Sequence, residues 1–122
     1  MSWQANRDRG RRAYLSGQAA EDRVAELYQR NGFDIVARRW RRSGGEIDLI
    51  ARHGQKFYFV EVKKGRDFAT AVARISARQL ARIQAAAVEF LALSGLSIDT
   101  DCRFDAALSD AQGRIKVIPQ IA

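Results

Sequence analysis

Gly45-Glu46-Ile47-Asp48-Leu49-Ile50, followed after a short polar break by Phe59-Val60-Glu61-Val62-Lys63, decides how this chain reads. Both runs are apolar and both carry acidic residues; the second adds a lysine two places after its glutamate. Strand positions are normally filled by β-branched and aromatic residues. Carboxylates and an amine inside buried strands are costly unless they are paired or hold a metal ion. The charges therefore point to a metal site built on the strands, with the rest of the chain placing it against a nucleic acid.

Strand alternation decides which side chains meet. Residues 46–52 and 56–63 read as strands, and His53-Gly54 between them suits a tight hairpin. In the first strand Glu46, Asp48 and Ile50 fall on one face, and Ile47 and Leu49 on the other. In the second, Phe57, Phe59, Glu61 and Lys63 share a face opposite Tyr58, Val60 and Val62. A two-residue His53-Gly54 loop sets Arg52 against Gln55, Asp48 against Phe59 and Glu46 against Glu61. Asp48 and Glu61 are then diagonal neighbours, close enough to share an ion. A one-residue slip would put them on opposite faces and abolish the site.

Upstream, residues 33–42 read as another strand with a basic end, where Arg38, Arg39, Arg41 and Arg42 flank Trp40. Ser43-Gly44-Gly45 is a turn signal. Residues 16–31 read as a helix capped by Ser16 and stopped by Gly32, with Ala20, Val24, Leu27 and Tyr28 as its buried stripe. Glu21 borders that stripe and leans toward the sheet; a solvated first-turn glutamate is the plainer reading of the same residue. Residues 1–15 carry Arg7, Arg9, Arg11 and Arg12 beside Trp3 and Tyr14. They read as a mobile basic arm, either gripping phosphate or simply solvated.

Downstream, residues 64–71 read as a loop and 72–94 as one long helix ended by Gly95. Val72, Ile75, Leu80, Ile83, Ala87, Phe90 and Leu91 form its apolar stripe, and Gln79 borders it. Arg74, Arg78 and Arg82, four residues apart, make a basic ridge on another face. Residues 101–108 and 114–119 close the chain as two strands around an Asp110-Ala111-Gln112-Gly113 turn. The order helix, three strands, helix, two strands gives an α/β fold, a mixed β-sheet flanked by helices. Residues 16–122 make a single domain, as 122 residues allow.

Lys and Arg total 21 against 14 Asp and Glu, a net charge of +7 that favours polyanionic partners, nucleic acid ahead of a membrane surface. One cysteine, Cys102, and one histidine, His53, exclude an internal disulfide and a four-ligand zinc site, and suit a reducing cytoplasm. No apolar run approaches the ~20 residues of a membrane span.

Asp48 and Glu61 offer the hard oxygens that Mg²⁺ or Mn²⁺ takes, with the main-chain carbonyl of Val62 as a further ligand. Such an ion lowers the pKa of an attacking water and stabilises charge on a phosphate. Lys63 can offset carboxylate repulsion or stabilise the transition state. Glu21 can reach the ion through a water, and Glu46 and Gln79 are supporting candidates. Arg38, Arg39, Arg41, Arg42, Lys64, Arg66, Arg74, Arg78 and Arg82 are the candidates for contacting the nucleic acid. The bland alternatives are an acidic cluster of ordinary salt bridges, a core Trp40 and solvated arginines.

Gly45-Glu46-Ile47-Asp48-Leu49-Ile50, Phe59-Val60-Glu61-Val62-Lys63 and Arg103-Phe104-Asp105, with Gly17, Glu21 and Gly32, resemble the YraN-like family of small bacterial proteins. That family is similar to Holliday-junction resolvases and is grouped with the restriction-endonuclease-like PD-(D/E)xK nucleases. The resemblance implies a restriction-endonuclease-like core and Mg²⁺-dependent phosphodiester cleavage. It makes Asp48 the aspartate of the PD motif, Glu61 and Lys63 the (D/E)xK pair, and Glu21 the helix glutamate. Ile47 replaces the motif's proline, Ala20 stands where glycine is frequent, and Gln79 where lysine is. Lys64-Gly65-Arg66 also differs from the usual loop, in which an arginine follows the lysine more closely. The resemblance allows a homodimer, since relatives that cut junctions work as dimers. The expectation is an endonuclease acting on DNA, branched or structured DNA included. The alternatives are a nucleic-acid-binding module with little or no cleavage, and an interaction protein whose acidic cluster is structural.

Overall fold

In the computed structural model, which describes the backbone of residues 3–122 and the side chains of residues 17–122, a five-stranded mixed sheet lies between helices. The order is α1 (Trp3–Arg30), β1 (Asp34–Arg42), β2 (Gly45–His53), β3 (Lys56–Lys64), α2 (Phe68–Ala73), α3 (Ala77–Leu93), β4 (Cys102–Ser109) and β5 (Ile115–Ile118). The strands run β1-β2-β3-β4-β5 across the sheet. Only the β3–β4 pair is parallel, and the chain between them is long enough to hold two helices.

The five expected strands are all present. The helices differ in two ways. α1 begins at Trp3, so Ser16 lies inside it and is not its cap. The side chains of Arg7, Arg9, Arg11 and Arg12 lie outside the described residues. The single helix read over 72–94 is two, because two caps were overlooked. The Asp67 side chain accepts from the Thr70 amide and starts α2; the Ser76 hydroxyl accepts from the Gln79 amide and starts α3. Arg74 closes α2, so it does not continue a ridge with Arg78 and Arg82. Val72 is exposed rather than part of the stripe.

The two sheet faces are filled from opposite sides. Val24, Ala25 and Tyr28 of α1 pack on Leu49, Ala51, Tyr58, Val60 and Ala107. Ile83, Ala86, Ala87, Phe90 and Leu91 of α3 pack on Ile47, Ile50, Phe57 and Phe59. Phe59 is fully buried, and covering a side chain of that size contributes about 2–3 kcal/mol. Trp40 packs edge-to-face on Phe90 with centroids 5.5 Å apart, so it belongs to the core margin and is not free to stack on a base.

The hairpin register is displaced by two residues from the sequence reading. His53 pairs with Lys56, Arg52 with Phe57 and Ile50 with Phe59, so Gly54 and Gln55 form the turn. Gly54, at φ +63°, takes the conformation that the turn demands there. An even displacement preserves parity. Continued one step past Leu49–Val60, it sets Asp48 directly across from Glu61 instead of diagonal to it.

One face assignment does not survive. Strict alternation gives Ile47 and Leu49 a common face, but Ile47 packs under α3 and Leu49 under α1. β1 breaks step at the same level. Ala37 and Trp40 both meet the α3 core, whereas Arg38 and Arg39 both reach acidic residues of α1. Arg39 has φ +50°, and it is the residue across from Asp48 in the register that pairs Arg38 with Leu49 and Trp40 with Ile47. Both strands thus switch faces at Arg39 and Asp48, a paired irregularity of the kind that re-aims a side chain.

Candidate functional site

The switch lies where the β2–β3 pairing stops at Leu49–Val60, between α1 and α3. A cavity of ≈ 320 Å³ there is lined by Glu21, Glu46, Asp48, Glu61, Val62, Lys63, Gln79, Arg82 and Ile83. The seven residues singled out in the sequence for chemistry therefore converge: one from α1, two from β2, three from β3 and one from α3.

Asp48 is held by the β3 backbone, its Oδ2 accepting from the Val62 amide at 2.8 Å. Glu61 is buried, and its Oε1 accepts from Gln79 Nε2 at 2.8 Å and lies 3.2 Å from Lys63 Nζ. Gln79 can reach it because it sits in the first turn of α3, which Ser76 caps. The two carboxyls line the same cavity, and the charge of each bears on the other. Burial, then the charge of Asp48, pushes the Glu61 carboxyl up to about 7, against the pull of Lys63. Burial also raises Asp48, opposed by its bond to the Val62 amide. Removing two carboxylates from water side by side makes both resist ionisation. A cation between them reverses that preference.

Among the described residues no three His, Cys, Asp or Glu side chains converge closely enough to cage a metal. Glu21 lines the cavity but its Oε2 accepts from Arg39 Nε at 2.8 Å. Glu46 is turned to Arg41, 3.2 Å away.

The candidate nucleic-acid contacts fall into two groups. Arg38 is paired with Asp22 and Arg39 with Glu21, and Arg74 Nη1 donates to the Lys64 carbonyl at 2.9 Å. Arg66 lies 3.5 Å from Asp67. Arg41, Arg42, Arg78 and Arg82 are exposed, and Arg82 borders the carboxylate cavity. Lys64 is half-buried at the end of β3.

Sequence reasoning missed two residues that shape the site. Arg39 was read as a phosphate contact, and nothing in Arg38-Arg39-Trp40 signals a left-handed residue within a strand. Glu89 of α3 accepts at Oε1 from Ser43 Oγ (2.8 Å) and the Gly44 amide (3.0 Å), fastening the β1–β2 turn. The paired glycines beside Ser43 were the available signal, since a Cβ on Gly45 would lie 2.9 Å from the Arg82 carbonyl oxygen. Farther off, Asp105 is wholly buried and accepts from Tyr28 Oη at 2.8 Å and from Arg103 at 2.7 and 3.0 Å, tying α1 to β4. No described helix is long and apolar enough to cross a membrane.

Comparison with known proteins gives relatives that match nearly end to end. A UPF0102 protein of Ruegeria pomeroyi is 51% identical over 110 residues, covering 90% of this chain and 89% of the relative. A UPF0102 protein of Cereibacter sphaeroides is 51% identical over 109 residues, covering 89% of this chain and 93% of its own length. One from Dinoroseobacter shibae is 46% identical over 117 residues, covering 96% and 87%. The family model for UPF0102, described as an uncharacterised protein family, matches residues 20–108, a span that takes in Glu21, Asp48, Glu61, Lys63 and Gln79. The chain belongs to the UPF0102 family.

Proposed function

We propose that this protein is a Mg²⁺- or Mn²⁺-dependent endonuclease that hydrolyses phosphodiester bonds in DNA, branched or structured DNA included. The mixed sheet between helices is read as a restriction-endonuclease-like core. One observation carries the reading: Asp48 and Glu61 stand side by side in the cavity between α1 and α3 with Lys63 against Glu61. Ordinary packing gives no return for two raised, mutually repelling carboxyls at one place.

The donor set fits such an ion. Mg²⁺ is usually held by one or two carboxylates plus water and phosphate oxygens, so the lack of a third acidic ligand is no obstacle. The Val62 amide engages Oδ2 of Asp48, and Gln79 and Lys63 both engage Oε1 of Glu61, so each carboxylate is held in place on one oxygen. The Val62 amide points at Asp48, and strand geometry directs the same residue's carbonyl to that edge. Bound there, the ion supplies a Lewis-acid charge and a water of lowered pKa. Lys63, half-buried beside Glu61, orients the attacking water and meets charge that develops on the phosphate. Gln79 fixes the Glu61 carboxylate. Glu21, across the cavity, is positioned by Arg39.

A second reading, a DNA-binding module that cuts little, draws support from Glu21 being engaged by Arg39. One experiment separates the two. Purified protein is incubated with linear duplex, single-stranded and four-way-junction DNA, with Mg²⁺, with Mn²⁺ and with EDTA. The nuclease reading requires cleavage that disappears with EDTA and in Asp48→Ala and Glu61→Ala. Salt-sensitive binding without cleavage supports the module, and cleavage that survives either substitution removes this site from the chemistry.

A further inference from the structure

The carboxylate cavity does not end at Glu46 and Arg82. Both residues also line a second cavity of ≈ 300 Å³, bounded by Arg41, Arg42, Ser43 and Gly45 at the tip of the β1–β2 hairpin. One carboxylate there faces three guanidinium groups. Arg41 and Glu46 make an exposed pair, 3.2 Å apart, of the kind worth little in water and easily exchanged. Arg42 and Arg82 form no ion pair among the described residues.

The arginines are carried on a rigid base. The Arg42 guanidinium lies over the Trp40 ring, 5.3 Å from its centroid, and Trp40 is wedged on Phe90. The hairpin tip is fastened to α3 through Glu89, and Gly45 packs against the Arg82 backbone too closely to admit a methyl group. Along β1, by contrast, Arg38 and Arg39 are already matched to Asp22 and Glu21. Among the described residues lining the two cavities, the arginines without an ion pair, Arg42 and Arg82, thus lie on one side of the carboxylates.

We propose that Arg42 and Arg82 clamp a backbone phosphate of the DNA strand next to the one held at Asp48 and Glu61. The clamp sets the direction in which the strand crosses the site: from the cavity, past Glu46, toward the β1–β2 turn. Glu46 acts as a spacer whose charge keeps phosphate out of the gap between the two subsites. This inference rests on the reading of the site as one that binds DNA at its carboxylates.

The test measures binding apart from cleavage. In an Asp48→Asn background, fluorescence anisotropy of a labelled single-stranded DNA is followed over a NaCl series. Arg42→Ala and Arg82→Ala each weaken binding several-fold and each reduce the slope of log K against log[NaCl] by about 1. Arg52→Ala, at the far end of β2 beside Asp34, leaves affinity and slope unchanged. Thermal melts of each variant verify the fold. Unchanged slopes in Arg42→Ala and Arg82→Ala, or an equal loss in Arg52→Ala, overturn the clamp. The two readings fail separately. Metal-dependent cleavage with unchanged slopes removes the clamp and keeps the nuclease. Reduced slopes in a protein that never cleaves keep the clamp and remove the nuclease. No binding by any form overturns both.

Discussion

Arg39 and Asp48 face each other across β1 and β2 at the step where both strands change which side of the sheet they fill. At that step Asp48 sits at the opening between α1 and α3, and the side chain of Arg39 turns to Glu21. Arg39 holds φ +50°, a conformation that costs a residue with a Cβ about 1–2 kcal/mol, and a β-branched one more. Its ion pair with Glu21 is partly solvated, with side-chain exposures of 37% and 16%, and contributes under ~1 kcal/mol. Arg39→Gly therefore leaves stability within about 1 kcal/mol, whereas Arg39→Val is less stable than Arg39→Gly by about 2 kcal/mol. Urea denaturation of the two variants measures the difference, and equal midpoints would show that the backbone at Arg39 stores no strain.

The carboxyl pair gives the metal-free protein an unusual pH dependence. Glu61 has its pKa raised from 4.5 to about 7, so the folded state holds a proton that the unfolded chain releases. Between those limits the folded protein binds more protons, and stability falls as pH rises. The contribution is fully present below pH 4.5 and gone above about 7, and its size is on the order of 3 kcal/mol. Asp48, shifted the same way by burial, adds to the trend. Thermal melts in EDTA should show this decline, and Glu61→Gln should flatten it. Mg²⁺ favours the ionised pair, so it raises the melting temperature at neutral and alkaline pH and has little effect at acid pH. A melting temperature indifferent to Mg²⁺ throughout would count against a cation at this place.

How far the chain could be read from its sequence depended on whether a signal was local. Alternation in Phe57–Lys63 gave the faces of β3 correctly, because each face is packed by a different helix and any odd slip would expose one. The β2–β3 register was two residues off because both His53-Gly54 and Gly54-Gln55 can serve as the turn, and both keep parity. The site survived that error for the same reason. Ile47 was misplaced because strict alternation has no term for a left-handed Arg39, whose partner Glu21 lies 18 residues away in the chain. The break at Arg74-Ile75-Ser76 is hidden because the apolar spacing of α3 extends back through Ile75 and Val72, although Ser76, three residues before Gln79, is a visible cap. The basic residues were counted correctly, but which of them meet carboxylates is decided by α1 packing beside β1.

Buried Tyr28 and Asp105 form a knot with the half-buried Arg103 that supports the fold away from the cavity. Asp105 has no exposure, and burial together with Asp105 drives the Tyr28 hydroxyl well above the usual range for a phenol. Tyr28→Phe removes one donor and leaves a buried carboxylate with Arg103 alone, at a cost of about 1–3 kcal/mol. Asp105→Ala strands both partners and costs more, about 3–5 kcal/mol. Both losses appear in urea midpoints. DNA binding and cleavage by the folded fraction of Tyr28→Phe stay at the wild-type level, since neither Tyr28 nor Asp105 borders the carboxylate cavity.

Gly45 begins β2 three residues before Asp48 and has φ +151°, with its α-carbon facing the Arg82 backbone. A methyl group placed there would meet the Arg82 carbonyl oxygen at 2.9 Å, and a helix backbone cannot give way as a side-chain tip can. In Gly45→Ala the hairpin tip must therefore lift from α3, which strains its bonds to Glu89 at 2.8 and 3.0 Å. The expected loss of stability is about 1–3 kcal/mol. Glu89→Ala removes the fastening without forcing the backbone apart, so it costs less, about 1 kcal/mol. The functional consequences differ in the same order. Lifting the tip moves Arg42 away from Arg82 and pulls on the strand that carries Asp48, so Gly45→Ala loses DNA affinity and cleavage together. Glu89→Ala keeps Asp48 in place and loses mainly affinity. Parallel measurement of DNA binding and Mg²⁺-dependent cleavage in the two variants decides the matter. Wild-type cleavage by Gly45→Ala would mean that the hairpin tip does not position the site.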